Sequence, residues 1–406
     1  MSKFFTRERF GRPQVLAGLL LLALLAQCVW LLGHTRANPA SQEEESAQIA
    51  MGLQLWGKQN APASHEAEAM HSPPLDVPHP GVFFDKDHSA LWYLIISAPL
   101  LPCGTATLEN WTKTYWLAVI PNLIFALLLG ASLWYVARRL YGNAGGYIAL
   151  AFFCFSPVIV LSSTSWFTPP EMGAAWGAFG SIFTAIAVSH TLYAPREVVL
   201  WNWRRIVLLG LSFTLAVGSQ FSLVILVPVA LLFMFYLAPA RKAAAFAIWI
   251  SACALASVLL FAAYRFRPSL FLRALGHADF FGVIWQAFTV ADAYFAVIKR
   301  LANLGPAVLA LLPIVLIVYI FWRRTRYFGN TAPWLVFLLL LVLHLGSPHF
   351  PGFGFGLMAV PFLFVFMAGV ISDLLETDNR ALVLSCVGIV LLVGTLWNFW
   401  QLSRIT

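Results

Sequence analysis

Runs of about 18 or more apolar residues recur along this chain, and each is long enough to cross a hydrocarbon core of about 30 Å as a helix. A backbone in lipid must satisfy its own hydrogen bonds, so such runs predict an all-α polytopic bundle. Composition agrees: 60% of the 406 residues are hydrophobic and 10% are charged, against roughly 25% charged in soluble domains. The net charge of +8 invites a nucleic-acid reading. No basic arm interleaved with aromatics accompanies it, and bases in a membrane protein usually mark cytoplasmic loops. Nucleic acid is therefore not an expected partner. The five cysteines are scattered, without a CxxC or a Cys/His ligand spacing, and read as small hydrophobes packed among helices.

Lys3, Arg7, Arg9 and Arg12 precede an apolar run from Val15 to Leu32. This is the pattern of a signal anchor with a cytoplasmic N-terminus. From there to residue 114 the chain is polar and holds nine of the seventeen acids. A connection that long is either functional or disordered, and its aromatics Trp56, Phe83, Phe84, Trp92 and Tyr93 argue for function. Near its end, Ser89 to Pro102 is apolar for only about 14 residues, roughly 21 Å as a helix.

Charge parity decides whether that short segment crosses. If it lies on the membrane, Arg138, Arg139, Arg196, Arg204, Arg205, Arg241, Lys242, Arg323, Arg324, Arg326 and Arg380 face the cytoplasm. Only Arg265, Arg267, Arg273, Lys299, Arg300 and Arg404 then face outward. If it crosses, the two sets exchange sides and the positive-inside bias is reversed. The spans then fall at 15–34, 115–137, 144–163, 171–193, 206–218, 221–238, 243–264, 304–322, 332–347, 355–372 and 381–402. A single helix from Ile206 to Ala238 would be about 50 Å long, so it is divided at Gly218-Ser219-Gln220. The expectation is one membrane domain over residues 1–406 with about eleven spans. It has an extracytoplasmic loop at 34–114 and a basic, aromatic extracytoplasmic loop at 265–303.

Four outward-facing features could support chemistry. Glu43, Glu44 and Glu45 follow the first span; carboxylates there could take a proton from a hydroxyl, bind a divalent cation, or simply be a solvated charge run. In FDKDHS, Lys86 stands between Asp85 and Asp87, with His88 next. The lysine could meet a phosphate leaving group while a carboxylate orients it, and surface ion pairing is the plain rival. In SWFTPPEMGAAW, Glu171 lies at an outer membrane boundary, where an acid marks either a site or the first turn of a helix opened by Pro169 and Pro170. Finally, Arg265, Arg267, Arg273, Lys299 and Arg300 alternate with Phe and Trp on the side where few bases belong. That pattern suits a segment lying among headgroups and holding an anionic lipid, whether substrate or ordinary phospholipid.

These residues also resemble a family. QEEESAQIA is similar to the D-E-x-x-Y-A-x-I-A stretch after the first span of GT-C fold, polyprenyl-phosphate-dependent glycosyltransferases. That family includes the aminoarabinose lipid A transferases and the protein mannosyltransferases. VFFDKDHSALWYLIISAPLLPCG resembles its Y-F-x-K-P-P-L-x-Y-W-L segment, and YVARRLYGNAGGYIALAFFCFSPVIVLSS its R-R-L-F-G turn and following helix. HFPGFGFGLMAVPFLFVFMAG, which begins at His349, resembles its late Pro-rich turn and span. The resemblance covers most of the N-terminal half and is diffuse afterwards.

It implies transfer of a sugar from a polyprenyl phosphate to a hydroxyl of a lipid, glycan or protein. Lys86 matches the lysine of K-P-P-L, Asp85 the acid before it, Glu43 the second acid of the D-E pair, and Glu171 falls near a later acidic position. Asp87, His88, the five outer bases and His349 are the expected substrate contacts. The chain departs from the pattern at Gln42, where the family has its first Asp, unless Glu44 or Glu45 serves. It departs again at Lys86-Asp87-His88-Ser89 for K-P-P-L, and at Gly218-Ser219-Gln220, where L-T-K has its lysine. No cofactor is fixed by the sequence; a divalent metal ion stays open. The competing reading is a non-catalytic binder, flippase or transporter of lipid-linked sugars. The near absence of mid-span charge weighs against it.

Overall fold

A computed structural model describes residues 13–34, 48–57, 87–103, 111–164, 171–193, 203–280, 285–346 and 355–405. Every regular element among them is a helix. In order these are α1 (Pro13–His34), α2 (residues 48–55), α3 (Ala90–Ser97), α4 (Trp111–Cys154), α5 (Pro157–Thr164) and α6 (Glu171–Thr191). There follow α7 (Trp203–Ser219), α8 (Leu226–Leu237), α9 (Lys242–Ala263), α10 (Pro268–His277) and α11 (Ala291–Ala302). The last are α12 (Pro306–Phe321), α13 (Phe328–Gly346), α14 (Phe355–Leu375) and α15 (Arg380–Ile405).

Each of the eleven expected spans is helical over most of its length. Seven helices among the described residues are long and apolar enough to cross a membrane on their own, or eight if a bent pair counts as one span. The difference has local causes. The spans expected at 115–137 and 144–163 belong to the one long element α4, interrupted by Gly142 at φ 76° and ψ −172°. That backbone conformation is open to glycine and costly for other residues, so it breaks the helix into two arms. Arg138 Nε donates to Asn143 Oδ1 across the break at 2.8 Å. α7 has 17 residues and α8 only 12, being preceded by a 3-10 turn at Phe221–Ile225. The division at Gly218-Ser219-Gln220 is present: Gln220 is extended, at φ −154° and ψ 115°. The last of the shortened spans, α12, has 16 residues and meets α11 at a bend of 110°.

The chain forms two compact units. The first comprises Met1–Arg36, Leu123–Ala175 and Val283–Thr406; the second comprises Ala37–Asn122 and Trp176–Gly282. The first unit is built around α14, whose residues from Leu357 to Phe366 are all buried, with Met367, Ala368, Val370 and Ile371 continuing the core. A helix apolar on all faces suits such a central place. Trp334 of α13 stacks on Phe366 at 4.8 Å, and Phe152 of α4 on Phe364 at 5.7 Å. Gln27 in α1 donates through Nε2 to the Cys154 carbonyl at 3.1 Å and accepts from Asn398 Nδ2 of α15. Amide pairs of this kind hold helices together where lipid offers no hydrogen bonds.

A polar knot closes another part of this unit. Asn330 Nδ2 donates to the Thr325 carbonyl at 2.9 Å and to Asp373 Oδ2 at 3.0 Å. Tyr141 donates its hydroxyl to the Gly329 carbonyl at 2.7 Å, and Arg324 pairs with Glu376. Gly369 makes the knot possible: a Cβ there would lie 2.6 Å from Tyr141 Cζ and would overlap Asn330 Oδ1. Burial, and after it the Asp373 carboxylate, push the Tyr327 phenol above its ordinary value.

In the second unit, Trp249 Nε1 of α9 donates to the Val227 carbonyl of α8 at 2.9 Å. Arg205 Nη1 of α7 donates to the Ala187 carbonyl of α6 at 3.1 Å. α3 ends after eight residues and continues as a 3-10 turn, Ala98–Cys103. It does not form a long crossing helix. Trp92, Tyr93, Ile96 and Leu100 are buried, so the segment is packed into the second unit rather than resting on its surface.

Candidate functional site

The second unit contains a polar corner assembled from three segments far apart in sequence. Ser89 caps α3, its Oγ accepting from the Leu91 amide at 3.2 Å. The same hydroxyl donates to the Gly218 carbonyl at 2.7 Å, and the Ser89 amide donates to that carbonyl at 3.0 Å. In the other direction the Phe221 amide donates to the Asp87 carbonyl at 2.9 Å. These bonds bracket His88 on one side and Ser219-Gln220 on the other. The helix break leaves backbone groups without their intrahelical partners, and the Asp87–Ser89 segment supplies some of the replacements.

The third segment follows α9. The Tyr264 hydroxyl accepts from the Ala90 amide at 3.3 Å. Arg265 Nη2 donates to the Leu55 carbonyl at the end of α2. Arg265 and Phe266 both have φ 54°, a left-handed conformation costing roughly 1–2 kcal/mol per non-glycine residue. Tyr264, Ala263, Ala90 and Ala274 form a small buried cluster, with Leu55, Leu91, Leu94, Leu270 and Phe271 packed against it. Trp56 Nε1 also donates to the Leu94 carbonyl at 3.1 Å. Ser222 Oγ donates to the Asp279 carbonyl at 3.4 Å, and Phe221 meets Phe280 at 5.6 Å between ring centroids.

His88 is buried in this corner and Asp87 is half-buried; Arg265 is exposed. Three of the expected contacts are thereby placed in one part of the second unit. The corner also joins two positions singled out by the family resemblance, the K-P-P-L equivalent and the L-T-K equivalent. Arg267 precedes Pro268 at the start of α10, and Arg273 lies on the exposed face of that helix. Phe266 and Leu272 are exposed beside them, giving α10 a basic and apolar surface suited to headgroups.

The first unit holds Lys299 and Arg300 in the last turn of α11, where cations complement the helix dipole. Ala293 is the buried residue of this helix, whereas Phe295 and Ile298 are 68% and 60% exposed. If α12 crosses the bilayer, its 110° bend from α11 lays α11 close to the membrane plane. Arg300 Nη1 lies 3.1 Å from His344 Nε2. A guanidinium only donates, so His344 accepts. His344 is 2% exposed, and a Cβ on Gly356 would come within 3.3 Å of its ring.

His344 was not among the expected site residues. Its signal in the sequence is a lone histidine inside LVFLLLLVLHLG, an ionisable group in an apolar span. Tyr264 likewise gains its significance from a contact between distant segments, and Gln220 from its burial at the helix break. Glu43, Glu44, Asp85, Lys86 and His349 lie outside the described residues. Glu171 opens α6, as its helix-starting reading expects, with only its backbone described. Among the described residues no three His, Cys, Asp or Glu side chains gather in a metal-binding group.

The helices define a multi-pass, all-α membrane protein with a GT-C-type fold. Its structure is similar to that of ArnT from Cupriavidus metallidurans, solved bound to undecaprenyl phosphate, with a TM-score of 0.57 and 12% sequence identity. The match covers 91% of this chain and 62% of that one. At this identity the likeness is one of fold. No family model and no curated protein matches the chain.

Proposed function

We propose that this protein is a membrane glycosyltransferase that moves a sugar from a polyprenyl-phosphate carrier to a hydroxyl of a lipid, glycan or protein acceptor. The observation that supports this most is the docking of Asp87–Ser89 on the Gly218–Phe221 break. Two stretches whose resemblance to glycosyltransferase motifs was separate in sequence are adjacent in the fold. The GT-C-type architecture supports the same reading.

In this mechanism the acceptor oxygen attacks the anomeric carbon. The bond from that carbon to the phosphate oxygen breaks, and the acceptor proton passes to a carboxylate, with Glu43 first in line and Glu44 or Glu45 as alternates. Lys86 stabilises the departing lipid phosphate, with Asp85 beside it and Arg265, Arg267, Arg273, Lys299 and Arg300 adding positive potential at the headgroup level. Asp87, His88 and His349 line the substrate, and Glu171 acts with the catalytic carboxylates. The working location is the cytoplasmic membrane, with a cytoplasmic N-terminus, the reaction on the extracytoplasmic face, and residues 1–406 acting as one membrane domain.

Lys86→Ala should reduce transfer by at least about a hundredfold, the scale of losing one transition-state charge contact, while membrane insertion is retained. Mass spectrometry of lipid-linked sugars after deletion of the gene should show an accumulating polyprenyl-phosphate sugar. Transport of such a lipid by purified protein, with no new glycosidic bond formed, would overturn the proposal.

A further inference from the structure

We propose that Gln220, assisted by Ser219, is a specificity-determining residue that hydrogen-bonds a neutral hydroxyl of the transferred sugar; this rests on the glycosyltransferase reading. Gln220 is 0% exposed and Ser219 is 1% exposed. Among the described residues, neither Nε2 nor Oε1 of Gln220 has a hydrogen-bond partner, and Ser219 Oγ has none either. Buried polar side chains usually find partners, so an exception of this kind calls for an explanation.

Other buried amides in the same protein provide the comparison. Gln27 uses both ends, donating to Cys154 and accepting from Asn398. Asn330 uses its amide nitrogen for two acceptors, and Asn398 uses its own for Gln27. Those side chains join helices. Gln220 does not: its backbone occupies the break between α7 and α8, while the bonds that secure the corner run through Ser89, Gly218, Asp87 and Phe221. A structural amide would be expected among those bonds.

The chemistry of the position favours a sugar hydroxyl over phosphate. A primary amide presents a donor and an acceptor together and carries no charge, which matches a hydroxyl that both donates and accepts. Among the described residues, no cationic side chain takes part in the bonds that secure the break, which run through Ser89, Gly218, Asp87 and Phe221. Because Gln220 is enclosed, engagement requires the Asp87–Ser89 pairing to loosen as substrate enters. A site built to hydrogen-bond a hydroxyl rejects analogues lacking it, because its own polar groups are then left buried without partners.

The test uses the full chain in lipid nanodiscs and the variant Gln220→Met, which keeps the length of the side chain and removes both polar ends. Binding is measured by native mass spectrometry for undecaprenyl phosphate and for a panel of undecaprenyl-phosphate-linked hexoses, pentoses and amino sugars. The wild type should prefer one sugar-bearing lipid over undecaprenyl phosphate, and Gln220→Met should lose about ten-fold of that preference, the scale of one well-placed hydrogen bond. Its affinity for undecaprenyl phosphate should be unchanged, and Ser219→Ala should move the preference in the same direction by less. Gln220→Met should also melt at or above the wild-type temperature, because it removes a buried amide that supports no contact.

A clear fall in melting temperature would assign Gln220 to structure and overturn the inference, as would full retention of the sugar preference. If the wild type discriminates and Gln220→Met discriminates equally, this inference fails while the glycosyltransferase reading stands. If the wild type binds none of these lipids, both fail.

Discussion

The knot around Asn330 and the corner around Gln220 are both polar regions buried among apolar helices, yet they use their hydrogen bonds differently. In the knot, one amide nitrogen serves two acceptors from different elements, and Gly369 lets Tyr141 and Asn330 approach closely. In the corner, Ser89 and backbone groups make the bonds, while the most buried amide contributes none. Asn330 leaves only its Oδ1 without a partner among the described residues, whereas Gln220 leaves both ends. A region that keeps more of its polar groups in reserve for a ligand is less stable for it.

That contrast can be broken by substitution, starting where the effect should be largest. Gly369→Leu forces atoms into the space of Tyr141 and Asn330 and should cost about 3 kcal/mol by overpacking, measured by unfolding in mixed micelles. Asn330→Leu deprives Asp373 and the Thr325 carbonyl of their donor and should cost about 2 kcal/mol in the same assay. Ser89→Ala removes both the helix cap and a bond to Gly218, for about 1 kcal/mol. Its loss of transfer should exceed its loss of stability; equal losses would make the corner merely another structural knot. Arg324→Ala breaks an ion pair whose side chains are 53% and 64% exposed and should cost less than about 1 kcal/mol, with the effect shrinking in salt.

Much of the architecture could be read in the sequence because lipid imposes a simple requirement, that an apolar run form a helix. The division at Gly218-Ser219-Gln220 followed from length alone and is present as an extended residue between helices. The surroundings of each helix were less legible. α14 is buried through most of its length, whereas α15 exposes Leu382, Leu384, Ile389, Leu392, Leu396 and Trp400. Both runs are apolar, and in a membrane apolarity does not separate a helix touching protein from one touching lipid.

The candidate site was legible in part for a related reason. FDKDHS stood out by its charge, but nothing local to it specifies that Asp87 and Ser89 bond to residues 129 or more positions later. His344 was visible as a lone polar residue, while its partner Arg300 lies 44 positions away. Such pairings belong to topology, which local composition does not encode.

The bend between α11 and α12 links this chemistry to the lipid around it. If α12 crosses and α11 lies flat, the elbow fixes how deep the end of α11 sits, and Arg300 meets His344 there. A thicker or thinner bilayer would tilt α12 to bury its apolar length, and the tilt would draw the guanidinium along or away from the imidazole. Membrane thickness would thus become a control variable for this contact, read out as an Arg300–His344 separation that changes with acyl-chain length in reconstituted vesicles.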